Sequence, residues 1–114
     1  MSETLFLDII ERRIPADIVY ETDSVLGFRD INGQAPEHVL FIPKKHIRTI
    51  NDLTEADAPL VGELFLAAKA YAAQIGVAED GFRVVMNCNA AAGQTVWHIH
   101  LHFLAGRPLT WPPG

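Results

Sequence analysis

Between Val96 and Leu104 the chain reads Val-Trp-His-Ile-His-Leu-His-Phe-Leu, which places three of its five histidines at alternate positions. The residues between them are β-branched, aliphatic or aromatic, the types that suit a pleated, extended surface. Side chains at i, i+2 and i+4 of a strand point to one face. The pattern therefore predicts a strand with His98, His100 and His102 on one face and Trp97, Ile99, Leu101 and Phe103 on the other. The second set reads as core. The first is a row of imidazoles about 7 Å apart, at a rise of roughly 3.4 Å per residue.

A strand with one apolar face needs something to pack on it, and 114 residues of which 49% are hydrophobic are enough for one core. The single cysteine, Cys88, allows no disulfide within the chain, which fits a reducing compartment. Met1-Ser2-Glu3, followed by Asp8 and Glu11, does not resemble a signal peptide. No apolar run approaches the roughly 20 residues that span a bilayer. These features point to a cytoplasmic protein with no membrane partner. A net charge of −5 argues against nucleic acid as a partner. The basic run Lys44-Lys45-His46-Ile47-Arg48 reads as a solvated loop, with His46 at the surface.

Taken in order, residues 3–12 carry a helical stripe of Leu5, Phe6, Ile9 and Ile10, with Ser2 as N-cap and Pro15 as stop. Residues 18–21 and 25–30 read as a hairpin joined by Thr22-Asp23-Ser24. Asn32-Gly33 and Pro36 mark a loop. Residues 38–43 are nearly all apolar and read as a central strand, and 44–53 as a loop. A long helix follows, capped by Thr54 or Asp57, with Pro59 in its first turn and Gly76 at its end. Its stripe is Val61, Leu64, Phe65, Ala68, Tyr71, Ala72 and Ile75. Residues 82–87 read as a strand and 89–94 as a loop of small residues before the histidine strand. Helix, three strands, helix and two strands do not alternate as βαβ units. The order predicts an α+β domain with a mostly antiparallel, about five-stranded sheet and one long and one short helix packed on it.

Three readings of the histidine row follow from its chemistry. The first is three ordinary sheet residues. The second is a metal site, since imidazole is a common zinc ligand. Against it, the outer two α-carbons lie roughly 13–14 Å apart at strand rise, and the neighbouring loop offers Asn87, Cys88 and Asn89 but no carboxylate. The third is nucleophilic catalysis on phosphorus. Neutral imidazole is a nucleophile near pH 7, and a loop containing Gly93 can present backbone N–H groups to phosphate oxygens.

His98-Ile99-His100-Leu101-His102-Phe103-Leu104 matches the His-φ-His-φ-His-φ-φ signature and resembles the histidine-triad (HIT) superfamily. Further blocks are similar to its Hint branch, the histidine-triad nucleotide-binding proteins. They are Ile14-Pro15-Ala16, Phe28-Arg29-Asp30-Ile31, Gln34-Ala35-Pro36-Glu37-His38, Ile42-Pro43-Lys44-Lys45-His46-Ile47, Gly93-Gln94-Thr95 and Trp111-Pro112-Pro113-Gly114. The resemblance covers nearly all of the chain and implies a HIT-like fold, with residues 1–114 as one HIT domain.

It also implies a hydrolase that cleaves purine nucleoside 5′-phosphoramidates and aminoacyl adenylates without a metal or other cofactor. By that resemblance His100 is the nucleophile and forms a nucleotidyl-histidine intermediate. His102 contacts phosphate and leaving group, and His98 supports the nucleophile. Thr95 stands where the Hint branch usually has Ser, keeping the hydroxyl and adding a methyl group. His38 resembles a fourth histidine beside the triad, and Asp30 the residue that binds both ribose hydroxyls. Phe6, Ile9, Phe28, Ile31 and Leu40 resemble the purine pocket, and Asn87, Gly93 and Gln94 the phosphate-side contacts. The resemblance further implies a homodimer in which the tail 107–114, with Trp111, reaches the partner's active site. Each role has a plainer counterpart. Asp30 could cap the turn before Asn32-Gly33, and Phe6 and Ile9 could be core. Two other functions stay open beside the phosphoramidase: a nucleotide-binding regulatory or protein-interaction module, and a dinucleoside polyphosphate hydrolase.

Overall fold

The structure, a computed structural model, describes residues 4–114. Five strands form one antiparallel sheet in the order β1-β2-β3-β5-β4. They are β1 (Ile18–Glu21), β2 (Val25–Arg29), β3 (Glu37–Pro43), β4 (Arg83–Val85) and β5 (Leu101–Ala105). The most apolar strand, β3, lies in the middle. Helix α1 (Leu5–Ile10) and helix α2 (Ala58–Ile75) complete the fold. This is the α+β arrangement that the sequence predicts.

Register decides which residues share a face. Val39 pairs with Phe103 and Phe41 with Leu101, while Leu40 pairs with His102. Phe28 pairs with Leu40 and Leu26 with Ile42. Val25, Val39, Phe41, Leu101, Phe103 and Ala105 therefore form one buried layer, covered by Leu64, Ala67, Ala68, Tyr71 and Ala72 of α2. The helical residues fall at i, i+3, i+4, i+7 and i+8, the spacing of a single helix stripe. Phe41, Tyr71 and Phe103 meet edge-on in this layer, with ring centroids 5.4–6.1 Å apart. Gly27 is required by close approach, since a Cβ there would lie 2.7 Å from the Phe41 ring.

The opposite face carries Leu26, Phe28, Leu40 and Ile42, covered by Phe6 and Ile9 of α1. The two helices thus seal opposite faces, and the histidine row lies on the face of α1.

Several local expectations are corrected. Residue Ser2 lies outside the described residues. The first helix ends at Ile10, and Arg12 already has φ of 63°. Phe65 is 49% exposed and lies off the buried stripe of α2. Asp57 precedes α2 but turns its carboxylate back to the Thr54 N–H, at 2.9 Å, and to Lys45 Nζ, at 2.6 Å. The strand expected over 82–87 is Arg83–Val85 alone. The histidine strand begins only at Leu101, so His98 and His100 precede it in irregular backbone. Trp97 is not core: Arg48 covers its ring at 4.8 Å from the centroid. No helix of the described residues is long and apolar enough to cross a membrane.

Candidate active site

Residues 94–100 leave the sheet because their partners lie elsewhere. Pro43 ends β3 without an N–H to offer. Its carbonyl accepts the His98 Nε2–H at 2.7 Å. The Ile99 N–H donates to the Ile47 carbonyl at 2.8 Å. His46 Nε2–H donates to the Trp97 carbonyl at 2.8 Å. Gln94 is buried, and its amide donates to the carbonyls of Arg48 and Val96 while its oxygen accepts the Asn89 N–H. The run 43–48 therefore braces the segment that precedes the triad.

Hydrogen bonds fix the protons on the triad. A carbonyl only accepts, so His100 Nδ1, 2.8 Å from the His98 carbonyl oxygen, carries the proton. In the neutral ring the lone pair is then on Nε2, the atom free to act as nucleophile. The Gln34 N–H donates to His38 Nδ1 at 3.0 Å, which leaves the His38 proton on Nε2. That Nε2–H donates to His102 Nδ1 at 2.9 Å. His102 accordingly holds its own proton on Nε2. Asp30, whose Oδ1 accepts the Asn32 N–H at 2.8 Å, sets Oδ2 3.4 Å from His38 Nε2.

Burial keeps these rings neutral. Desolvation lowers His98 and His102 to about 4, against an ordinary histidine value of 6.5. The same cause lowers His100 and His38, partly opposed by the negative charge of Asp30. The Phe6 ring stands edge-on to His100 at 5.1 Å and to His98 at 5.8 Å. A neutral, desolvated imidazole with a fixed tautomer is what a nucleophile on phosphorus needs at pH 7.

The fold brings His38 and His102 of the sheet together with Asp30 and His100, which lie just outside it, and Phe6, Ile9, Phe28 and Leu40 are buried on the same face. These four form part of a buried apolar cluster, as the core reading expects. Ile31 lies next to Asp30 and is 96% exposed. Gly93, at φ 90°, and Thr95 are exposed on the loop before the triad, and Asn87 is half-buried just beyond β4. Gln94 turns its amide onto the carbonyls of Arg48 and Val96. Trp111 is 80% exposed on the tail.

The nearby carboxylate that the loop sequence lacked comes from across the sheet. Ligand atoms of Asp30, His38 and His102 lie within 4.8 Å of one another, a span that could hold a cation. The proton pattern opposes it. A neutral His38 bound to metal through Nε2 would carry its proton on Nδ1, where it would face the donating Gln34 N–H. The residues present do not fit a metal.

This geometry has close counterparts. The HIT domain family matches over residues 11–109. The purine nucleoside phosphoramidase of Escherichia coli K12 is 50% identical over 94% of this chain and 90% of its own length. A HIT family hydrolase from Legionella pneumophila superposes with a TM-score of 0.95 at 51% identity, covering 96% of this chain and 98% of its own. A histidine triad nucleotide-binding protein from Candida albicans is 27% identical, with a TM-score of 0.80, covering 95% and 82%. The chain belongs to the HIT family.

One contributor was not legible beforehand. His46 is exposed, as its loop reading expects, and from there its ring stacks on His98 at 5.1 Å with an interplanar angle of 30°. Its signal was its position in the Pro43–Arg48 run, which pairs with the triad segment across about fifty residues of sequence.

Proposed function

We propose that this chain is a hydrolase that cleaves the P–N bond of purine nucleoside 5′-phosphoramidates and of related aminoacyl adenylates at their own labile phosphorus linkage. Family membership and the names of its relatives support hydrolysis. The observation that carries the choice of nucleophile is the His100 Nδ1–H bond to the His98 carbonyl, which leaves Nε2 with its lone pair.

In the first step His100 Nε2 attacks the α-phosphorus of the phosphoramidate. A nitrogen–phosphorus bond forms to His100 and the bond to the leaving amine breaks. The amine departs with that electron pair and takes a proton from solvent. His102, neutral with its proton on Nε2, offers a donor to a phosphate oxygen. In the second step water attacks the same phosphorus, the bond to His100 breaks, and the nucleoside monophosphate is released. His100 recovers its lone pair, and the proton from water replaces the one taken by the amine.

Asp30 suits the ribose hydroxyls because a carboxylate has about four acceptor positions and the Asn32 N–H takes one of them. Phe6, Ile9, Phe28, Ile31 and Leu40 supply the apolar surface for the purine. In this reading Thr95 serves the leaving-group side, and Asn87 and Gly93 the phosphate side. The same reading includes a homodimer whose tail 107–114 carries Trp111 to the partner's site.

The test is release of a fluorescent amine from an adenosine 5′-phosphoramidate. Wild type is expected to release it and His100→Ala to fall to background. No release by wild type that still binds adenosine monophosphate would replace the enzyme with a nucleotide-binding module. Faster cleavage of a dinucleoside polyphosphate than of the phosphoramidate would replace the substrate class.

A further inference from the structure

The His98 carbonyl that fixes the His100 proton is not held by a sheet ladder, because β5 starts only at Leu101. It lies in the peptide plane that follows His98, and the plane before His98 joins that plane at the His98 Cα. The plane before it ends in the Trp97 carbonyl, bonded to His46 Nε2–H at 2.8 Å. The plane after it ends in the Ile99 N–H, bonded to the Ile47 carbonyl at 2.8 Å. Consecutive residues of one loop thus pin consecutive planes of the triad segment.

The His98 ring is restrained from the same side. It makes one hydrogen bond, to the Pro43 carbonyl, and its buried Nδ1 has no partner among the described residues. Two rings flank it as well: Phe6 edge-on at 5.8 Å and the stacked face of His46 at 5.1 Å. His46 therefore touches the support of the nucleophile twice, through backbone and through ring, without touching His100.

We propose that His46 is a positioning residue that holds the Trp97–His98 backbone so that His100 keeps its proton on Nδ1 and its lone pair on Nε2. The catalytic consequence rests on the hydrolysis proposed above, whereas the effect on the His100 tautomer does not. A neutral imidazole free of this constraint populates both tautomers, and the one protonated on Nε2 cannot attack. Loss of His46 should thus lower kcat rather than raise KM, because substrate contacts stay in place. A single hydrogen bond of ordinary net strength corresponds to about a five- to tenfold change.

The variants separate donor from ring. His46→Gln keeps an N–H near the Nε2 position, His46→Phe keeps the ring without a donor, and His46→Ala removes both. Two readouts are taken on each: amine-release kinetics, and side-chain nitrogen NMR of His100, which distinguishes the tautomers without substrate. His46→Ala and His46→Phe are expected to lose about five- to tenfold in kcat with KM within about twofold, and to show tautomer averaging at His100. His46→Gln should restore most of both. If wild type has no phosphoramidase activity, the function proposed above fails and the NMR result still decides the role of His46. A His100 tautomer unchanged in His46→Phe, or a loss that Gln does not restore in folded protein, overturns the inference.

Discussion

The two faces of the sheet solve different problems with the same alternating sequence. On the face of α2, Val39, Phe41, Leu101 and Phe103 meet Leu64, Ala67 and Tyr71, and the contacts are apolar packing. On the face of α1, alternate positions of β3 and β5 hold His38, Leu40 and His102, Phe6 and Ile9 pack on Leu40 and its apolar neighbours, and Phe6 stands edge-on to His98 and His100. The first face gains from burial at about 25 cal/mol per Å² of apolar surface. The second buries polar rings, which costs free energy unless each is hydrogen-bonded. It meets that demand with carbonyls and neighbouring imidazoles and leaves His98 Nδ1 without a partner among the described residues. One face is arranged for stability, while the other accepts a cost that keeps its histidines neutral.

Substitutions on each face should therefore separate activity from stability. The largest effect belongs to the histidine face: His100→Ala should reduce amine release by about a thousandfold or more, as loss of a covalent nucleophile does, with the far-ultraviolet circular dichroism of the wild type retained. On the other face, Phe103→Ala should destabilise by about 3–5 kcal/mol in urea unfolding, because Phe103 is fully buried against Phe41 and Tyr71. A loss below about 1 kcal/mol would contradict the packing described for that layer.

Acidification should act through the histidine face. His98 and His102 are lowered to about 4, and His100 and His38 are lowered too. Between their lowered values and the ordinary 6.5, the unfolded chain binds more protons than the folded one. Stability then rises with pH through that window, is fully present above about 6.5, and is lost as pH falls toward 4. A fall in Tm on the order of 10 °C between pH 7 and pH 5 is expected. The acidic limb of kcat should also lie below the usual histidine range, since His100 must be neutral to react. A limb at or above 6.5 would mean that burial does not govern the nucleophile. The smallest effect is at the rim of this face. Asp30→Asn should cost about tenfold in kcat/KM for a ribonucleotide substrate, the scale of a hydrogen bond to a charged acceptor. The same variant should lose much less on the 2′-deoxy analogue.

The comparison also shows what the sequence could convey. The full strand order does not follow from local patterns, whereas the first hairpin, the central place of β3 and the apolar layer of β5 do. The triad was legible for the same reason. The break between His100 and Leu101 was not. Alternation persists through residues 97–100, but the backbone partners there are carbonyls and an N–H in residues 43–48, far away in sequence. The role of His46 was hidden for that reason, and so was the inward turn of Gln94. The approach of Asp30 to His38 and His102 arises from sheet register, which spacing along the chain does not reveal. In α2, Phe65 fits a helical stripe by hydropathy, but Leu64 and Ala68 occupy the face that meets the sheet.

The central claim is that His100 attacks phosphorus. The most direct measurement is the mass of the enzyme mixed with adenosine 5′-phosphoramidate and quenched in alkali within milliseconds, with the modified residue located by fragmentation. The account predicts one adenylyl group, placed on His100 and absent from His100→Ala. Turnover without any such adduct, or an adduct on His98 or His102, would contradict it.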